Sequence, residues 1–302
     1  MANTIRSFSE IYKSIYDKPS QWHDAVFAET KSIINKSIST GLGHPQVTDV
    51  EIGETIPGSL IVFFMDIRGF TKMSIALDNE ELVKILQAIT AASIISIRQY
   101  GGYVAEFTGD GVMAYFGQGY TTTEKDAFNS LRTCSFLMHG IKEVVNQYLD
   151  KLLDETVKVG MGIEYGNVLW TRIGLLDINQ VKPISEVSFV AGKNSSHASS
   201  WEVIMGKNIA DWVPDTYKEE YEPYSFQKDN KKYTYERFSF NWESFYTEFC
   251  EDSYELERAL ISNKLPALKS ITVLNDGSPV EANAEKNINK GPRPLKDRPF
   301  FR

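Results

Sequence analysis

Apolar and polar positions divide this chain into segments of two periods. Leu60-Ile61-Val62-Phe63-Phe64-Met65 is a continuous apolar run, too short for a helix and suited to a central strand. Asp78-Asn79-Glu80-Glu81 sets acids at the positive end of a helix that carries Leu82, Ile85, Leu86, Ile89, Ile94 and Ile95 and stops at Gly101-Gly102. Residues 103–108 and 111–116 read as short strands around Gly109-Asp110-Gly111, an Asp-Gly hairpin signal. Thr123 and Asp126 form a capping signature for a second helix that continues to about Leu153. Further strands are predicted at 157–163, between Gly166 and Gly174, at 186–191 and over 231–240, with a helix opening in Asn194–Ser200. The order strand, helix, hairpin, helix, strand predicts an α+β fold. It is a ferredoxin-like layer with helices packed on one face of a largely antiparallel sheet.

Outside this block, Ile11, Tyr12, Ile15, Trp22, Val26 and Ile33 recur at helical spacing and predict an N-terminal helix over residues 1–38. Glycines and a proline between Ser39 and Val47 read as a linker. Residues 253–261 suit one more short helix, and the polar, proline-bearing chain after about 275 a flexible tail or an arm that orders on a partner. The expected organisation is a helical segment and linker at 1–45, a catalytic domain at 46–245 and a C-terminal arm at 246–302.

Two aspartates stand out against this pattern. Asp66 ends the apolar run, and Asp110 sits at the tip of the hairpin whose strands should flank it. One such aspartate is most simply a turn residue or a helix cap. Two carboxylates converging on one place repel unless a cation joins them, and hard divalent cations favour oxygen ligands.

Composition narrows the partners. The net charge is −8 and no long basic tract occurs, which disfavours a nucleic-acid surface. No apolar run reaches the ~18–20 residues of a membrane span, and the N-terminus lacks a secretory signal, so a soluble cytoplasmic protein is expected. Cys134 falls in an apolar helical pattern and reads as a buried free thiol. His23, His44, His139 and His197 show no ligand spacing, and the aromatic stretch Trp242–Phe249 reads as packing.

Phe64-Met65-Asp66-Ile67-Arg68-Gly69-Phe70-Thr71, followed by Phe107-Thr108-Gly109-Asp110-Gly111-Val112-Met113-Ala114-Tyr115-Phe116, resembles the class III nucleotide cyclases. Val159-Gly160-Met161-Gly162-Ile163-Glu164-Tyr165-Gly166-Asn167-Val168 resembles that family's next strand, and the resemblance covers roughly residues 58–240. It implies that Asp66, Asp110 and the Ile67 carbonyl hold two Mn²⁺ or Mg²⁺ ions per site. These ions would clamp a nucleoside triphosphate while its 3′-oxygen attacks the α-phosphorus. Arg68, Phe70 and Thr71 would lie near the phosphates. It further implies a homodimer whose composite sites take groups from both protomers.

The departures from the family pattern bear on specificity. Glu106 stands where adenylate cyclases carry a lysine, as in guanylate cyclases. A carboxylate accepts from guanine, from uracil N3–H or from the cytosine amino group. If Gly192 is the family's strand-end glycine, Phe189 fills the second base-reading position and argues for a smaller base. The family's ribose asparagine and transition-state arginine fall on Ser196 and Ser200, or, shifted by two, on Asn194 and Ala198. The missing cation is then sought in Arg172 or Lys193, and His197 lies in the same segment.

This pattern resembles the pyrimidine cyclases of the bacterial antiphage system Pycsar. The resemblance implies UTP, with CTP next, as substrate. It also implies a separate effector switched on by the cyclic product. The alternatives are a guanylate cyclase and a catalytically silent nucleotide-binding module.

Overall fold

The computed structural model describes residues 42–153, 156–175 and 179–250. The N-terminal helix, the helix at 253–261 and the tail after 275 lie outside the described residues.

Strand β1 (Thr55–Ile67) is the spine of the sheet, and Leu60, Ile61, Val62 and Phe63 are completely buried in it. A short helix α1 (Phe70–Ala76) and a long helix α2 (Asn79–Gln99) carry the chain to β2 (Tyr103–Phe107) and β3 (Val112–Phe116). The helix start expected at Asp78 is present and is closed by a capping box: Asp78 accepts from the Glu81 amide while the Glu81 carboxylate accepts from the Asp78 amide. Such a cap contributes about 1 kcal/mol. The same device, between Thr123 and Asp126, starts α3 (Glu124–Gly140). A π-helical turn at Ile141–Val145 then leads into α4 (Asn146–Leu153).

β4 (Val159–Gly174) is one strand, where the sequence pattern predicted two. It pairs with β1 along its whole length, from Ile67 opposite Val159 to Thr55 opposite Thr171, so Gly166 is an in-strand position opposite Leu60 rather than a break. The strand order β2-β3-β1-β4 is the expected ferredoxin-like layer, and all three of these pairings are antiparallel. Three strands extend it: β6 (Glu202–Gly206), parallel to β4, then β8 (Lys231–Phe240) and β7 (Lys218–Lys228). A four-residue helix α6 (Lys207–Ala210) follows β6, and Asp229-Asn230, both at positive φ, turn the β7–β8 hairpin.

The segment 186–191 is not a strand. The strand is β5 (Asn179–Ile184), which pairs with the outer half of β4, and Ser185 then caps helix α5 (Glu186–His197). The reason lies in the burial pattern. Val187, Ala191, Asn194 and Ser195 are buried at helical spacing, and the apolar residues between them face outward.

α5 also changes the layer count. The larger core packs Ile85, Ile89, Leu131 and Leu137 from α2 and α3, with Phe245 from α7 (Trp242–Phe249), on one face of the sheet. A second core with Leu60, Val62, Tyr115, Val168 and Trp170 lies on the other, beneath Val187 and Ala191 of α5 and beneath Val47 and Val50. Helices therefore cover both faces, where one was expected. Close seating of α5 depends on Gly162: a Cβ there would come within 2.2 Å of the Ala191 carbonyl oxygen and of the Ser195 nitrogen. Cys134 and Cys250 are buried free thiols, and no helix among the described residues is long and apolar enough to cross a membrane.

Candidate functional site

The sheet brings the two aspartates together. Asp66 is the penultimate residue of β1, opposite Gly160, and Met65 pairs with Val112 just after the β2–β3 turn. That turn closes with the Thr108 amide donating to the Gly111 carbonyl, and Gly109 adopts φ 78°. Gly111 is required by the close approach, since a Cβ would lie 2.5 Å from the Met65 carbonyl oxygen and 3.4 Å from Asp66 Oδ1.

Burial, and then the adjacent Asp110 carboxylate, raise the Asp66 pKa, against the opposing pull of Arg68. Arg68 Nη2 donates to Asp66 Oδ2 at 2.7 Å. A half-buried carboxylate pair in mutual repulsion, with oxygen donors only, fits a hard divalent cation. Among the described residues there is no group of three or more His, Cys, Asp or Glu side chains able to hold a metal, so main-chain oxygens such as that of Ile67 would complete the ligand set.

Arg68 has a second task. Its Nη1 donates to the carbonyl oxygens of Ala198, at 3.1 Å, and Ser196, at 3.5 Å. One guanidinium thus ties Asp66 to the C-terminal end of α5. Phe70 and Thr71 open α1, with Gly69 in the left-handed region at φ 74° and Phe70 packed against the larger core.

The base-reading positions differ from the sequence expectation. Glu106 lies on β2 opposite Met113, on the α5 face of the sheet, and its carboxylate accepts from Lys182 Nζ at 3.0 Å. Lys182, on β5, was not singled out in the sequence. Reading 186–191 as a strand moved the base-reading register into what is a helix. Phe189 sits on α5 with 73% of its surface exposed, so it fills no strand-end pocket in this chain. Ser185 as a cap before the periodic Val187, Ala191 and Asn194 was the signal that places Lys182 on a strand.

Arg172 is committed elsewhere. Its three donor groups bond the Val50 carbonyl, the Thr48 carbonyl and the Asn179 side chain, near the end of β4 remote from Gly160, where Asp66 pairs. It fastens the segment before β1 and does not supply a free cation. Asn194 is turned inward, 1% exposed, with its Nδ2 unpartnered, so this chain presents no Asn194 side chain to a ribose.

Lys193 is exposed on α5, with Nζ 5.5 Å from the ring centre of Tyr224. His197, one turn on, accepts at Nδ1 from Arg237 Nη1 at 2.7 Å. Burial, then the charges of Arg237 and Lys193, hold its pKa below the ordinary value, against Glu222.

The comparisons with known proteins agree with this geometry. Residues 57–234 match the adenylate and guanylate cyclase catalytic domain. A protein named cytidylate cyclase from Escherichia coli is 25% identical over 176 residues, 56% of this chain and 38% of that protein. A second, from Staphylococcus aureus, is 27% identical over 189 residues, 61% of this chain and 43% of that protein. The chain spans less than half the length of these relatives. Among solved structures, the adenylyl cyclase CyaB from P. aeruginosa superposes with a TM-score of 0.56 at 23% identity, covering 62% of this chain and 95% of that one, a likeness of fold. With more than half of its residues matched in one continuous block, this chain belongs to the adenylate and guanylate cyclase catalytic domain family.

Proposed function

We propose that this chain is a pyrimidine nucleotide cyclase that converts CTP, with UTP as the alternative, to the 3′,5′-cyclic monophosphate and pyrophosphate. The observation that carries it is the Asp66–Asp110 pair, brought together at one end of β1 and only partly offset by Arg68. The preference between bases reverses the order drawn from the sequence. Glu106 alone favoured uracil narrowly, whereas the relatives named cytidylate cyclase favour cytosine.

Asp66, Asp110 and the Ile67 carbonyl would hold two divalent cations, Mn²⁺ or Mg²⁺. Bound there, such ions supply positive charge to the triphosphate and lower the pKa of the ribose 3′-hydroxyl. Arg68 orients Asp66 and favours its ionised form. The 3′-hydroxyl gives its proton to water, and its oxygen forms a bond to the α-phosphorus. The bond from that phosphorus to the bridging oxygen breaks, and pyrophosphate leaves. At the base, Glu106 accepts from the cytosine amino group and Lys182 donates to N3 or O2. On uracil the same pair meets N3–H and a carbonyl. Guanine offers a donor edge beside a carbonyl as well, and Phe189 gives no steric argument against it. Lys193 takes the place of the absent arginine.

The resemblance to the Pycsar branch supports reading the product as a second messenger in antiphage defence that acts on a separate effector, and the working unit as a cytoplasmic homodimer with composite sites.

The test is turnover of ATP, GTP, CTP and UTP offered separately with Mn²⁺, with products identified by mass spectrometry. Cyclic CMP or cyclic UMP is expected, and Asp66→Ala should yield neither while keeping its circular dichroism spectrum. Cyclic GMP would move the assignment to a guanylate cyclase, and no product from a dimeric protein would make it a nucleotide-binding module. The same preparation should sediment as a dimer. Full turnover by a monomer would remove the composite site.

A further inference from the structure

Glu106 and Lys182 are the part of the proposed site whose spacing the sheet does not set. Glu106 stands on β2 and Lys182 on β5, and β3, β1 and β4 lie between them. Across a flat sheet those four steps amount to about 19 Å, beyond the joint reach of the two side chains. The outer β4–β5 ribbon therefore has to curl for Lys182 Nζ to meet the Glu106 carboxylate at 3.0 Å. Among the described strands β5 pairs with β4 alone, and a ribbon of two strands is marginal without further support.

That support comes from residues 43–54, a strap that crosses from one member of the pair to the other. At its start the Gly43 amide donates to the Val104 carbonyl, two residues from Glu106, and the His44 ring centre lies 4.6 Å from that of Tyr103, also on β2. In its middle Val47 and Val50 are buried in the second core. At its end Arg172 donates to the Val50 and Thr48 carbonyls, each at 2.6 Å, and to Asn179 Oδ1 at 2.7 Å. Asn179 opens β5, so one guanidinium joins the strap, β4 and β5. Two carbonyls and an amide oxygen around one point call for the planar fan of donors that only arginine carries. Thr171 Oγ1 adds a bond to the Glu54 carbonyl at 2.8 Å, and Thr171 is the residue that pairs with Lys182.

We propose that Arg172 is a positioning residue for base recognition: through the strap it holds Lys182 against Glu106 and so sets which base the pair accepts. This role rests on the cyclase reading for its substrate, though not for the contact between Lys182 and Glu106. Arg172 lies near the end of β4 remote from Gly160, where Asp66 pairs. Its loss therefore acts on how the base is held and spares the groups around the phosphates.

Arg172→Met keeps an unbranched side chain and removes its donors. Lysines of the full chain are acylated with N-hydroxysuccinimidyl acetate and read by mass spectrometry. Lys182 should react at least threefold faster in the variant, while the comparably exposed Lys142, paired with Glu243, stays unchanged. In turnover, KM for the preferred pyrimidine nucleotide should rise at least fivefold with kcat within twofold. The ratio of kcat/KM between CTP and UTP should move toward one, and the inhibition constant for pyrophosphate should hold. A protein that is merely destabilised would instead lose kcat for all nucleotides alike. Thr171→Val removes a single strap bond and should shift the same quantities by a smaller factor, which keeps the test open if Arg172→Met fails to fold. Unchanged labelling of Lys182, or faster labelling with unchanged KM and CTP-to-UTP ratio, would overturn the role. Faster labelling in the variant of a protein whose wild type turns over no nucleotide would keep Arg172 as the residue that positions Lys182 and overturn the cyclase reading.

Discussion

Asp66 stands where its own charge is disfavoured. Burial and Asp110 favour its protonated form, and Arg68 is too little to cancel both. An acid whose pKa rises on folding holds its proton more tightly in the native state. Stability from this group is therefore lost as pH rises above the ordinary aspartate value. Asp110→Asn removes the like charge without touching the Arg68 ion pair. We expect this variant to be more stable than the wild type at pH 7 in the absence of metal, by about 0.5–1 kcal/mol, and to be inactive. Added Mn²⁺ should raise the wild-type melting temperature by several degrees and leave that of the variant nearly unchanged. Thermal denaturation with and without Mn²⁺ reads both effects, and equal metal-induced shifts in the two proteins would remove Asp110 from the ligand set.

At the scale of elements, legibility followed the locality of the signal. The β1 run, the helix start at Asp78, the Thr123–Asp126 capping box and the Asp-Gly turn are decided by neighbours within a few residues, and each was read correctly from the sequence. α5 was not, because Val187 to Ala191 reads as a strand until its partner surface is known. What selects the helix is Gly162 on β4, some 25 positions upstream, whose missing side chain lets the helix backbone lie on the sheet. The same error hid Lys182 and misplaced Phe189, while Arg237 escaped notice because only tertiary contact with α5 gives it a role. Gly162→Ala tests the point. Its methyl would meet backbone atoms on two turns of α5, which cannot rotate away. A loss of about 1–3 kcal/mol in urea denaturation is expected, with turnover falling further than stability because α5 also anchors Arg68. An unchanged urea midpoint would show that α5 is not seated on Gly162.

Stability of the whole molecule depends on a second carboxylate, far less exposed than the first. Glu164 on β4 is fully buried, accepts from the Tyr165 and Ile209 amides, and meets the Tyr235 hydroxyl, so it joins β4, α6 and β8 at the point where the added strands meet the ferredoxin-like layer. Burial pushes its pKa up to about 8, against the pull of those amides. Between the ordinary glutamate value and about 8 the native state holds a proton that the unfolded chain has released. Stability must therefore fall as pH rises through that window and level off above it, by a few kcal/mol at most. Asp66 adds a slope of the same sign at its acidic end. Glu164→Gln keeps an acceptor for the two amides and a donor for Tyr235 while removing the titration. We expect it to flatten the stability curve between pH 5 and 8 and to be the more stable protein near pH 8. Urea denaturation at half-unit pH steps decides the matter: parallel curves for wild type and variant would mean that Glu164 is ionised in the folded protein, and that the inner and outer strands are joined by charge-assisted bonds instead of a neutral acid.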